Sequence, residues 1–333
     1  MKYTLAIAAL LVAAGSTAFA EDGRVSQAQL SALGLPGMSA MSDAQGAQIR
    51  GQGFAYTSSD ESEILSDERI NTVAVLTRHH LHTPQTAAAL QAGKHVFCEK
   101  PLAIDEAGLQ RVMAALEGSQ QLLCVGFNRR FAPLALAMQR FLSPAQAPKV
   151  IHILVNAGLL PPEHWLHDPE QGGGRIIGEG CHFIDFAAFL AGAAPDWISA
   201  QALPDQAPYR QDNVVLNLGF ADGSLATIHY LANGDRSLPK EYVEVFCAGR
   251  VARLYDFRRL ETAYDGRQNT QRLRGRQDKG HTAIWETFAE AIRQGGPPPI
   301  PYPILFAVTQ ASFDALRALR AGERIPIRLP DQN

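Results

Sequence analysis

Three short polar stretches carry residue types that can move protons or hold a ligand. Glu99, Lys100 and Pro101 directly follow the apolar run HVFC. A surface turn there would need only the proline, which fixes φ and ends strand pairing. A carboxylate and an ammonium at the end of a buried strand require another reason. The second stretch, HWLHDPEQGGGRIIGEGCHFID over 164–185, has a glycine run at 172–174 that permits close backbone approach and opens a helix. On that helix Gly178, His182 and Asp185 are spaced i, i+4, i+7 and share one face, with Glu179 one position round. An imidazole on a helix that also displays a carboxylate suits general acid–base work. The other reading is a histidine capped by Asp185 inside a packed junction, and the segment alone favours neither. In the third stretch, TRHHLH over 77–82, the histidines 79, 80 and 82 invite a metal reading. A loop HHxH lacks the fixed i, i+4 geometry of a helical zinc motif, so surface or ligand-contacting histidines are preferred and no metal is expected.

The elements that must position these groups alternate. NTVAVLT (71–77), HVFC and QLLCVGF (121–127) read as buried parallel strands. Between the first two, Thr83 is the expected N-cap of a helix with Pro84 at its first position and Gly93 as its stop. Further helices are expected over 105–116 and along RRFAPLALAMQRFL. The polar groups TRHHLH, EKP and NRR then sit at three strand ends, where ligands of such sheets collect. After residue 149 come six strand-like runs, a hairpin turn at ADGS, one helix over 173–190 and two closing helices over 282–293 and 304–320. GGPPPIPYP is a rigid connector. The fold class is α/β then α+β: an incomplete Rossmann-like parallel sheet over 53–148, then a mostly antiparallel sheet domain over 149–330 with helices on one face.

The 333 residues suffice for two such domains. With 46% hydrophobic residues, 30 basic against 33 acidic ones and a net charge of -3, neither nucleic acid nor anionic lipid is the expected partner. Four scattered cysteines show neither zinc nor redox spacing and read as buried thiols. Residues 1–20 combine Lys2, an apolar run from Leu5 to Ala14 and Ala18-Phe19-Ala20, the pattern of a cleaved export signal. The run is too short for stable membrane insertion, and a genuine signal makes the protein periplasmic or extracellular, otherwise cytoplasmic. The competing reading is the first strand and loop of a Rossmann unit. Residues 21–52 read as a linker.

AGKHVFCEKPLA, with NTVAVLTRHHLHTPQTAAAL before it and GFNRRFAP and GGGRIIGEGCHFIDFAAFLAG after it, resembles the Gfo/Idh/MocA family of nicotinamide-dependent sugar and inositol oxidoreductases. More narrowly it is similar to the C-terminal half of proteins joining a zinc-alcohol-dehydrogenase-like module to such a domain. The resemblance runs from about Gly53 to Ile327. It implies that Lys100 lies beside the nicotinamide and the reacting hydroxyl, lowering that hydroxyl's pKa, with Glu99 orienting it and Pro101 setting the turn. It implies that His182 takes or relays the hydroxyl proton, with Asp185 one turn on. Thr77, Arg78, His82 and Trp165 would pass the cofactor, NAD or NADP, and Asn128 and Arg130 would point toward substrate. An aspartate is expected four residues before the histidine; that position is Gly178, and Glu179 is the candidate substitute, rotated by about 100°.

No GxGxxG follows a first strand; GQGFAY at Gly51 supplies two glycines but opens no helix. The expectation is a missing N-terminal Rossmann unit and a weakened or absent cofactor site, because the pyrophosphate rests on that loop. The leading function is NAD(P)-dependent oxidation of a secondary hydroxyl of a sugar, sugar nucleotide or inositol. The alternatives are a cofactor-less carbohydrate-binding protein or inactive remnant, and an NAD-dependent glycosidase. Relatives pair through the open face of the C-terminal sheet, which implies a homo-oligomer here.

Overall fold

The computed structural model describes residues 7–10, 55–56 and 61–330. Most of the expected export signal, the whole 21–52 linker and Gly53 fall outside them. Strands β1 (Ile7–Leu10), β2 (Ala55–Tyr56), β3 (Thr72–Val75), β4 (His95–Cys98) and β5 (Leu123–Val125) form one parallel sheet in the order β2-β1-β3-β4-β5. Ile7–Leu10, inside the run read as the core of an export signal, pairs along its whole length with β3. That is the pairing the first-strand reading requires. β3 is buried on both faces, as a covered parallel sheet demands.

Helix α1 (Glu61–Ser66) precedes β3, and α2 (His79–Gln91) and α3 (Glu106–Glu117) follow β3 and β4. Asp105 caps α3 by accepting from the Gly108 N–H at 2.7 Å. Helix α2 begins at His79, four residues before the expected Thr83, and carries Pro84 in its interior. The proline removes one hydrogen bond. Tertiary bonds hold the early turn instead: the His80 N–H donates to the Gln171 carbonyl at 3.2 Å, and the His79 and His82 rings meet carbonyls of other loops. Gly93, at φ +70°, stops the chain as expected.

A 3-10 turn (Asn128–Phe131) leads to α4 (Pro133–Leu142) and into a nine-stranded sheet. Its strands are β6 (Val150–Asn156), β7 (Pro195–Ala202), β8 (Asn213–Phe220), β9 (Leu225–Leu231), β10 (Glu241–Cys247), β11 (Arg250–Tyr255), β12 (Arg259–Tyr264), β13 (Arg267–Arg272) and β14 (Ile325–Pro326). Only β6 and β9 pair in parallel. Strand β6 alternates cleanly, with Ile151, Ile153 and Val155 inward and Val150 and Leu154 outward. β12 and β13 escape the sequence reading because RLETAY and RQNTQR are polar, and β13 is exposed along its whole length. The usable signal was the Asp265-Gly266 pair, both at positive φ, a two-residue hairpin turn.

The expected helix over 173–190 is instead a π-turn (Ile176–Gly180) running into α5 (Cys181–Ala191). Helix α7 (Tyr302–Ala321) packs beside α5 on the inner face of the large sheet. Helix α6 (His281–Gln294) returns to the first sheet, where Trp285 stacks on Phe97 at 3.7 Å, so the chain after residue 280 covers both sheets. All four cysteines are free and buried.

Two buried ion pairs clamp the halves together from neighbouring residues. Arg129 donates to both Glu241 oxygens at 2.9 Å, and Arg130 forks onto Asp185 at 2.5 and 3.0 Å. Their side chains are at most 9% exposed, so removing one partner strands a charge. Asp185→Ala is expected to lower unfolding free energy in urea titrations by about 3–5 kcal/mol. Arg130→Met with Asp185→Leu should recover most of it; equal loss in the double variant would contradict this pairing.

Candidate active site

The cleft between the sheets is built on one cross-strand row. Tyr230 of β9, Val155 of β6 and Glu241 of β10 lie side by side and are all buried. Arg175, just before the π-turn, donates to the Tyr230 hydroxyl from Nε at 2.8 Å and pairs with Glu179 at 2.9 Å. The Tyr230 hydroxyl itself donates to Glu179. On the other flank Glu241 takes Arg129 and, at 2.6 Å, Lys279. The N-terminal turn of α5, with His182, is held between these two anchors.

Lys100 reaches this turn from the first domain. The Lys100–Pro101 peptide is cis, and Nζ donates to the Gly178 carbonyl at 2.6 Å. One of its three protons is thereby used. Glu99 accepts from the Lys100 N–H at 3.3 Å and lies against Gly126, where an added Cβ would come within 2.7 Å of Oε2. Glu99 keeps some accessible surface, yet burial pushes its carboxyl pKa up, against the pull of the Lys100 cation. Burial would also raise Glu179, but Arg175, the Tyr230 hydroxyl and Lys100 outweigh it and hold that carboxyl below its ordinary value. His182 is driven well below the usual imidazole range by burial and by Arg129, Lys100 and Lys240 around it, and its buried Nδ1 has no partner among the described residues. The site thus combines a lysine, an ionised glutamate and a neutral imidazole.

Lys100, Glu99, Glu179 and His182 are therefore brought together as the sequence suggested, and Arg78 and Trp165 flank them. Arg78 donates to Gln171 Oε1 at 2.6 Å and its guanidinium carbon lies 5.5 Å from the Trp165 ring centroid. Other expected site residues are committed elsewhere. Asp185 accepts from Arg130 at 2.5 and 3.0 Å, which ties the two to each other and not to His182 or to an open cleft. Asn128, 4% exposed, donates from Nδ2 to the Lys279 carbonyl at 2.7 Å. His82 is 1% exposed with its ring nitrogens against the Pro101 and Thr77 carbonyls at 2.7 and 3.0 Å, a brace between two strand ends and not a cofactor contact. The Thr77 hydroxyl donates to Gln85 at 2.7 Å.

Sequence reasoning passed over Tyr230, Lys240 and Glu241, whose part depends on strand register, and treated His79 only as one of three loop histidines. Lys240 sits beside Glu179 and Glu241, its ammonium pKa lowered chiefly by burial. Among the described residues no group of three or more His, Cys, Asp or Glu side chains is placed to hold a metal. The surface cavities beside 203–213 and beside Arg175 and Arg320 include neither Lys100 nor His182, so the polar cluster, not a cavity, defines the site.

The ends of β3 and β4 suit the nicotinamide half of a dinucleotide. They offer Arg78, Glu99, Lys100 and Pro101, with Trp165 against the Arg78 guanidinium and Lys100 reaching the Gly178 carbonyl.

Comparisons with known proteins agree with this frame. A model described as oxidoreductase family, NAD-binding Rossmann fold, matches residues 18–127, and the GFO/IDH/MocA C-terminal domain matches 147–248. The first match overturns the expectation that the N-terminal Rossmann unit is missing: it starts well ahead of Gly53, and β1 and β2 complete a five-stranded parallel sheet. Inositol 2-dehydrogenase 2 of Saccharopolyspora erythraea is 36% identical over 155 residues, 45% of this chain and 43% of that protein. 1,5-Anhydro-D-fructose reductase of Ensifer adhaerens is 30% identical over 200 residues, 58% of this chain and 60% of that one. The chain spans less than two thirds of either relative. Among solved structures, levoglucosan dehydrogenase in complex with NADH and levoglucosan has a TM-score of 0.72 at 21% identity, covering 82% of this chain and 84% of that one. A putative myo-inositol dehydrogenase from Sinorhizobium meliloti 1021 gives 0.69 at 23%, covering 84% and 86%. Those two likenesses concern the fold. With two domain models matched in order around a cleft where Lys100 meets the turn bearing Glu179 and His182, the chain belongs to the Gfo/Idh/MocA family of oxidoreductases.

Proposed function

We propose that the protein oxidises a secondary hydroxyl of a sugar or inositol, with NAD or NADP as the partner oxidant. The observation that carries this reading is the hydrogen bond from Lys100 Nζ across the cleft to the Gly178 carbonyl, which sets an ammonium beside a neutral imidazole and an ionised carboxylate. Named relatives that act on inositol and anhydro-sugars support the substrate class. A dinucleotide held beside Lys100 would supply the hydride acceptor for the carbinol carbon. The chain's own work concerns the proton. Lys100 keeps two N–H donors for the substrate oxygen and favours its alkoxide form. His182 is neutral, and because its Nδ1 is buried, Nε2 is the nitrogen left to take the hydroxyl proton. Glu179, fixed by Arg175 and Tyr230, balances the cations that gather as the imidazole becomes charged.

Purified protein should show saturable quenching or blue shift of NADH or NADPH fluorescence, and nucleotide reduction with myo-inositol or levoglucosan. Lys100→Met should keep nucleotide binding while lowering kcat by about 100-fold or more. No saturable signal at millimolar nucleotide would end the oxidoreductase reading and favour a cofactor-less binding protein.

Neutral imidazoles also leave a pH signature. The pKa of His182 is depressed in the folded state, mainly by burial, and that of His79 falls to about 3 for the same first cause. The unfolded chain binds these protons near pH 6.5 and the native state does not, so their stabilising effect is full above that pH and declines as pH falls below it. Urea titrations at pH 7.5 and 5.5 should show the loss, up to about 1.4 kcal/mol per group per pH unit. His182→Gln should reduce the slope; an unchanged slope would place a charged imidazole in the native site.

We further propose that copies associate through the outer face of the large sheet, where Leu225, Val150 and Phe246 form an exposed apolar row across β9, β6 and β10. Sedimentation at tens of micromolar should give a species larger than one chain, converted to monomer by Phe246→Asp with Val150→Asp. A wild-type monomer would end this proposal.

A further inference from the structure

Gly178 has no side chain, and the space beside it is filled. A Cβ built there would lie 2.5 Å from Leu166 Cδ1 and 2.9 Å from Cε1 of His79, so the His79 ring reaches the volume a residue at 178 would otherwise use. Two contacts fix that ring. Its Nδ1 is 2.7 Å from the Gly172 carbonyl, which can only accept, so Nδ1 carries the proton. Trp165 packs edge-on, with ring centroids 4.7 Å apart at 76°. The remaining nitrogen, Nε2, therefore holds a lone pair. It has no hydrogen-bond partner among the described residues and is not among the buried unpaired atoms, so it keeps access to the cleft.

The surrounding charges favour a neutral acceptor at this place. Lys100, His82 and Glu179 all act on His79, and burial holds the ring uncharged. A second carboxylate next to Glu179 would repel it and raise one pKa of the pair. An imidazole supplies an acceptor without that cost.

We propose that His79 Nε2 is a substrate-binding group that accepts a hydrogen bond from a substrate hydroxyl beside Lys100, doing from the start of α2 what a polar side chain at position 178 would do from the π-turn. This inference rests on the proposed sugar or inositol oxidation, and its substrate class is accordingly a polyol with a second hydroxyl near the one oxidised. The hydrogen bond to Gly172 and the Trp165 contact organise the acceptor before substrate arrives, so little is lost in ordering it.

The test uses the full chain. A long-range proton–nitrogen NMR spectrum, with His79 assigned by its loss in His79→Phe, should show the Nδ1–H tautomer with no titration between pH 6 and 8. Adding myo-inositol without nucleotide should shift the Nε2 resonance. In turnover, His79→Phe should lower kcat/KM by about 100-fold, while His79→Gln, which keeps an acceptor, stays within about tenfold of wild type. His79→Ala with Leu166→Ala and Gly178→Asp removes both side chains that crowd position 178, and should exceed His79→Ala with Leu166→Ala by at least about tenfold. An Nε2–H tautomer, a titration near pH 6.5, no myo-inositol shift, or wild-type kcat/KM in His79→Phe would each overturn the proposal. If the wild type turns over no polyol with either nucleotide, the oxidation reading fails by itself, and the Nε2 shift still decides for or against His79 as a hydroxyl acceptor. Should His79→Phe not fold, His79→Gln supplies the assignment, and a loss beyond tenfold in that variant counts against the proposal.

Discussion

Joining the two sheets is the constraint on which the rest of this structure depends. Many polar groups at the C-terminal ends of the first-domain strands are bonded to the second domain. Arg78 and the His80 N–H hold Gln171, His79 holds Gly172, Lys100 holds Gly178, Arg129 holds Glu241 and Arg130 holds Asp185. Charges buried in such contacts must be matched in both distance and number, because an unmatched one costs several kcal/mol. The cleft is what these contacts leave over: the spare donors of Lys100, the unpaired nitrogens of His79 and His182, and one face of Glu179.

Much of this was legible in the residues and some was not. The run HVFC followed by Glu99, Lys100 and Pro101 pointed to both a buried strand and its charged end, because β-branched and aromatic residues on a two-faced sheet admit few other arrangements. His182 was not legible locally, since its segment fits a capped junction histidine equally well; the resemblance to the family singled it out. Asp185, Arg130 and Asn128 were misjudged because a charged or amide side chain near a site looks the same in sequence whether it meets a ligand or another domain. Only the partner, 55 residues on for Arg130 and 151 for Asn128, tells the two apart.

The first domain was misjudged for a different reason. The absence of GxGxxG does not mean absence of the unit, because the topology is set by hydrophobic strands, and a four-residue strand such as Ile7–Leu10 reads equally as the core of an export signal. The start of α2 shows tertiary bonds overruling a local rule: Thr83-Pro84 is a sound helix opening, but carbonyls at Gln171, Gly172 and Pro101 draw the helix back to His79.

The clamps formed by Arg129 with Glu241 and by Arg130 with Asp185 also bear on how such a chain can be recombined. A crossover placed between α4 and β6 looks like a clean seam, since it parts the parallel sheet from the large one. It would separate both arginines from both carboxylates in a single cut. Shuffled progeny would keep a working cleft only if the other parent supplied acids at the same register, so these two halves are expected to travel together through gene exchange, and the shortest transplantable unit is the pair of sheets with their shared charges.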